Sequence, residues 1–86
     1  MRTQLVLAKD DLLNMQLEAD TVIEVASGAI WFTIGTADVI LGAGQRWVAP
    51  MHESVLIQSM MPTRLSIRKP ARGQSGWARM RQLIGA

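Results

Sequence analysis

Hydrophobic and polar positions alternate with a period of two along most of the 86-residue chain. In "LLNMQLE" Leu13, Met15 and Leu17 face one way while Asn14, Gln16 and Glu18 face the other, and in "TRLSIR" Leu65 and Ile67 alternate with Arg64, Ser66 and Arg68. This is the pattern of half-buried strands, whose successive side chains point to opposite faces. Turn-forming residues punctuate it at Ala19-Asp20, Ser27-Gly28, Gly35-Thr36, Gly42-Ala43-Gly44, Pro50-Met51 and Met61-Pro62, which predicts strands over residues 3–8, 12–18, 21–26, 29–34, 38–41, 46–49, 54–59 and 63–68. Eight short strands without room for crossover helices define an all-β, antiparallel architecture. Closing them into a small barrel or a two-layer jelly roll removes most exposed edges. The runs "VIL" (39–41) and "VLI" (55–57) lack polar alternation. They predict strands covered on both faces, by the second layer on one side and by a subunit or the tail on the other.

The pattern changes after Arg68. "KPARGQSG" holds Pro70, two glycines and no large apolar residue, and reads as a linker over residues 69–76. In "WARMRQLIGA" Trp77, Met80, Leu83 and Ile84 fall on one helical face with Arg79, Arg81 and Gln82 turned away, and Ser75 supplies an N-cap. The predicted organisation is a barrel over residues 1–68, a linker over 69–76 and a short basic amphipathic helix over 77–86. So short a helix is marginal alone. It needs its own barrel, a partner subunit or an anionic surface to dock on.

Length and composition narrow the function classes. A chain of this size supports one core and one domain, and gains from self-association. With 49% hydrophobic and 19% charged residues it belongs among globular rather than disordered sequences. It has no cysteine, so disulfides, thiolate nucleophiles and cysteine-based metal sites are absent. The apolar patch in "MRTQLVLAKDDLL" is too short for the core of a signal peptide. The longest uncharged stretch, Val25 to Ala37, is too short to span a bilayer as a helix. A soluble cytoplasmic protein is the expectation. Residues 1–53 carry seven acids against three bases, a charge of −4, whereas residues 54–86 carry six bases and no acid, a charge of +6. A basic half of this kind binds polyanions, or pairs with the protein's own acidic part or a second copy.

The stretch "LGAGQRWVAPMHESV" (41–55) places Gly44 six residues before Pro50. A turn glycine followed by an apolar strand that ends in proline resembles the opening of the second conserved motif of the cupins, small β-barrels of the jelly-roll kind. The upstream "SGAIWFTI" and the chain length are similar to a family of small bacterial cupin-like domains, the resemblance covering roughly residues 3–68. It implies a cupin-like barrel, and in cupins a metal held by three histidines and a carboxylate. Here His52 stands at the motif's glycine position and Val55 at its metal-binding histidine. The region that would carry the first motif, residues 21–41, has no histidine, and His52 is the chain's single one. No metal and no cofactor are therefore expected, and the metal-dependent chemistries of cupins lose their basis.

Other chemistries find little footing. His52 and Glu53 are sequence neighbours, which an extended strand points to opposite faces, so they are badly placed to work as base and orienting carboxylate. Ser54 lacks a nucleophile elbow. "GAGQRW" has neither the third glycine nor the helix of a dinucleotide site and reads as a hairpin turn. Nothing in the spacing brings Glu24 and Asp38 together as a carboxylate pair. Trp31 falls on the face of its strand opposite Ile30, Phe32 and Ile34. It is covered either by the C-terminal segment carrying Trp77 or by a second subunit.

The expectation is a non-catalytic, metal-free binding or oligomerisation module with no catalytic residue. It would be a homodimer whose contact involves Trp31, Arg64, Arg68, Trp77, Arg79 and Arg81. The first alternative is a barrel holding a small anionic or sugar-like ligand at its mouth near Arg46, Trp47 and His52. The second is a nucleic-acid or acidic-membrane binder working through the basic tail. That one is less favoured, because few aromatics interleave the basic residues.

Overall fold

A computed structural model describes residues 2–70. The predicted helix over 77–86 and most of the 69–76 linker, with Trp77, Arg79 and Arg81, lie outside the described residues. All eight strands are present: β1 (Arg2–Leu7), β2 (Leu12–Leu17), β3 (Val22–Ser27), β4 (Ala29–Ile34), β5 (Ala37–Gly42), β6 (Arg46–Val48), β7 (Glu53–Ser59) and β8 (Thr63–Arg68). They form two four-stranded sheets, β1-β8-β3-β6 and β2-β7-β4-β5, in which every pairing is antiparallel.

The register has a simple rule. In the β1–β8, β2–β7 and β3–β6 ladders, partners lie symmetrically about Gly35, so that Arg2 meets Arg68, Leu12 meets Gln58 and Val22 meets Val48. In β4–β5 the centre moves by half a residue, to the Gly35–Thr36 bond, with Ile34 opposite Ala37. The chain is thus one long hairpin folded back on itself. The additional β3–β8 and β4–β7 pairings join its arms into two layers.

Strand alternation then assigns the core. Leu17, Ile23, Val25, Ile30, Phe32, Leu41, Val55, Ile57, Leu65 and Ile67 point between the layers and are buried, with Ala49 beside them. Trp47, opposite buried Ile23, also points inward and meets Phe32 edge to face, with ring centroids 5.0 Å apart and planes at 70°.

Polar side chains secure the turns. At the end of β7 the buried Ser59 hydroxyl donates to the carbonyl of Ala8, accepts from the Asp11 N–H at 3.1 Å, and so holds the β1–β2 turn. Asp10 in that turn has φ 69°, a left-handed conformation that aspartate tolerates better than most residues. Thr63 plays the same part between β3–β4 and β7–β8. Its hydroxyl accepts from the Ala29 N–H at 3.2 Å and lies 2.7 Å from the Met61 carbonyl.

Thr21, equally buried, has no hydrogen-bond partner for its hydroxyl among the described residues. An unpaired buried hydroxyl costs free energy, and valine has nearly its shape. Thr21→Val is therefore expected to raise the melting temperature by several degrees, on the order of 1 kcal/mol. A fall in thermal unfolding temperature would show that the hydroxyl is satisfied.

Candidate functional site

The two sheets turn different chemistry outward. On β2-β7-β4-β5 the outward positions are Leu12, Asn14 and Gln16; Ser54, Leu56 and Gln58; Ala29, Trp31 and Thr33; and Asp38, Ile40 and Gly42. Asp38 is the single charged residue among them. The register sets Leu12, Gln58, Trp31 and Ile40 in a row across all four strands, with Leu56 one step along β7. The exposures of Leu12, Ile40 and Leu56 are 63%, 59% and 50%, and that of Trp31 is 36%. Ile40 and Leu56 are the middle residues of the two runs that lack polar alternation. Within the described residues the second layer covers the inward neighbours in those runs and leaves these outward two open.

On β1-β8-β3-β6 the outward positions carry Arg2, Glu24, Arg46, Arg64 and Arg68 among polar residues and the valines Val6, Val22 and Val48. Arg2 stands opposite Arg68; Gln4, Ser66, Glu24 and Arg46 form a second row; Val6, Arg64 and Ser27 form a third. Arg2 and Glu24 make an ion pair at 3.6 Å, and both are well exposed, so its contribution is small. A β-bulge between Val25 and Ser27 leaves Ala26 out of the ladder with β8. Beside it a groove of about 290 Å³ opens, lined by Arg2, Gln4, Glu24, Arg64 and Ser66.

Arg46, Trp47 and His52 do not converge on one pocket. Arg46 stands opposite Glu24 in the ladder, on the outer face, while its neighbour Trp47 points into the core. His52 lies exposed before β7, its Nε2 3.0 Å from the Gln16 side-chain oxygen. Glu53, the adjacent residue, is paired with buried Leu17 and so faces inward, on the side away from Ser54. Nor do Trp31, Arg64 and Arg68 share a surface: Trp31 is on the outer face of one sheet and the two arginines on that of the other. Leu12, Ile40 and Leu56 are not singled out by alternation alone, although the two wholly apolar runs contain the last two. Arg2, Gln4, Glu24 and Ser66 come together only through the register.

The donor set that a cupin metal would need does not fit this interior. The inward positions of β3, β4, β5 and β7 include Ile23, Val25, Ile30, Phe32, Leu41, Val55 and Ile57, none of which can ligate a metal, and Glu53 is the one carboxylate at those positions. Among the described residues no three His, Cys, Asp or Glu side chains gather. No helix among them is long and apolar enough to cross a membrane.

Two antiparallel four-stranded layers made from a folded hairpin define a cupin-like jelly roll. Solved structures bear this out. The chain is similar to a cupin superfamily protein from Desulfitobacterium hafniense (TM-score 0.70, 16% identity), with 79% of this chain aligned to 64% of that one. It is similar to the cupin-2 domain of an XRE family transcriptional regulator from Enterobacter cloacae (TM-score 0.63, 20% identity, 80% of each chain). It is also similar to a de novo designed double-stranded β-helix (TM-score 0.57, 16% identity), covering 79% of this chain and 96% of that one. No family model and no curated protein matches the chain.

Proposed function

We propose that the chain is a non-catalytic, metal-free cupin-like module that associates with a second copy of itself through the outer face of β2-β7-β4-β5. The observation that carries this reading is the row Leu12, Gln58, Trp31 and Ile40 with neighbouring Leu56, on a face whose only charge is Asp38. Charged residues are depleted and tryptophan enriched at the centres of protein interfaces, and a contiguous exposed apolar patch costs solubility unless it is covered. A second copy brings the same face, so a two-fold contact sets apolar on apolar. The arginines of the other sheet stay turned away from it, which keeps like charge out of the contact.

Sedimentation equilibrium tests the proposal. The parent chain is expected to be dimeric at micromolar concentration. Trp31→Glu, at an outward position on β4, should be monomeric with an unchanged β-sheet circular dichroism spectrum, a loss of at least about a hundredfold in association. A parent chain that stays monomeric at millimolar concentration would overturn the reading, as would a Trp31→Glu variant that still dimerises. Should Trp31→Glu fail to fold, Leu56→Lys gives the same readout from β7.

A further inference from the structure

The outer face of β1-β8-β3-β6 has a charge excess that the chain does not neutralise. Its register sets Arg2 directly opposite Arg68, a like-charge cross-strand pair of the kind that destabilises a sheet. Glu24 is the one carboxylate on the face and is engaged with Arg2. Among the described residues, Arg46, Arg64 and Arg68 have no carboxylate within 4.0 Å. The sequence after Glu53 contains no Asp or Glu, so the segment beyond residue 70 supplies no acidic side chain either. Four guanidiniums against one carboxylate call for an anion from outside.

We infer that the groove beside the β3 bulge binds a small phosphate monoester that also carries hydroxyl groups, a sugar phosphate by class. Three features select that ligand. The groove, about 290 Å³, matches the small end of ligand pockets, and Gly44 and Ala26 contribute little or no side chain to its lining. Arg64 stands at its wall with no acidic partner, and a planar guanidinium matches two phosphate oxygens at once; Arg2, Arg46 and Arg68 add a field that favours a dianion. Glu24 sits in the same groove. It repels a second phosphate and accepts hydrogen bonds from hydroxyls, with Gln4 and Ser66 beside it able both to donate and to accept.

A nucleic acid fits less well. No aromatic side chain lies at an outward position of this sheet to stack a base, since Trp47 is turned into the core. The opposite sheet, proposed above as the self-association face, is not involved. The site can therefore be tested in monomer or dimer alike.

The experiment is a titration of the full ¹⁵N-labelled chain with glucose 6-phosphate, followed by amide chemical shifts, with glucose, inorganic phosphate and a single-stranded oligonucleotide as separate arms. Glucose 6-phosphate should give saturable shifts confined to the amides of Gln4, Glu24, Ala26, Gly44, Arg64 and Ser66. Glucose and phosphate should each bind about tenfold more weakly or worse. Arg64→Ala, on an exposed side chain, should weaken glucose 6-phosphate at least about tenfold, and Glu24→Gln should weaken it while leaving or improving inorganic phosphate. The inference fails if phosphate binds as well as the sugar phosphate, if Arg64→Ala changes nothing, or if no shift saturates. Tighter binding of the oligonucleotide over the same amides would also overturn it and make the face a polyanion surface.

Discussion

Replacing Gly28 by alanine should unfold the protein or bring it close to unfolding. Gly28 joins β3 to β4 with φ +89°, and a Cβ there would lie 2.4 Å from the Pro62 carbonyl oxygen and 2.5 Å from the Thr63 hydroxyl. Both are held in place: Thr63 is buried and bonded to Ala29 and Met61, and Pro62 is the last residue of the turn, directly before β8. The left-handed conformation costs an alanine about 1–2 kcal/mol, and forcing a methyl group into a filled contact costs about 1–3 kcal/mol more. The sum is comparable to the lower end of the ~5–15 kcal/mol that holds small domains together. Gly35→Ala is the control, because its φ is +59° but nothing lies within 4 Å of the added methyl. Urea unfolding followed by circular dichroism should show a loss of about 1 kcal/mol for Gly35→Ala and several times that for Gly28→Ala. Equal losses would remove the close approach as the cause.

Phe32→Ala should be nearly as damaging. Phe32 is the chain's single phenylalanine, is fully buried between the layers, and receives Trp47 against its ring. Truncating a buried phenylalanine costs about 3–5 kcal/mol through lost burial and the cavity left behind. The edge-to-face contact adds about 0.5–1.5 kcal/mol beyond area. The two parts are separable by a double-mutant cycle in which Phe32→Leu and Trp47→Leu are made singly and together. Urea midpoints should give a coupling energy of about 0.5–1.5 kcal/mol between the rings. Strict additivity would mean that the two rings contribute area alone.

How much of this was legible in the sequence follows from what each feature depends on. The strands were readable because period-two alternation is local: Leu13, Met15 and Leu17 declare a buried face without reference to any partner. The antiparallel barrel or jelly roll was readable from eight such segments with turns between them and no room for crossover helices. One turn escaped notice: Lys9-Asp10, where an aspartate rather than a glycine takes the left-handed conformation. The surfaces depended on register, which a single strand does not reveal. Arg2 and Arg68 are at opposite ends of the described chain and become neighbours only because β1 pairs with β8. Likewise, Trp31 stood out as an aromatic on the wrong side of its strand. That Leu12 would join its row, and that Arg64 would be on the other sheet, required the order of strands. The proposed pocket of Arg46, Trp47 and His52 was built on nearness in sequence, and alternation itself separates the first two.

The arrangement of partners about Gly35 bears on how such a chain finds its fold. Pairing β1 with β8 outright would mean closing a loop of about sixty residues, and topologies dominated by distant pairings fold slowly. Here the shortest closure is Ile34 meeting Ala37 across a two-residue turn, and each further ladder begins a few residues beyond the last along both arms. Once β4 and β5 are joined, β3 meets β6 across a loop already shortened, then β2 meets β7, and β1 meets β8 last. A topology whose contacts are mostly distant in sequence thus has a zippering route open to it, in which no single step closes a long loop.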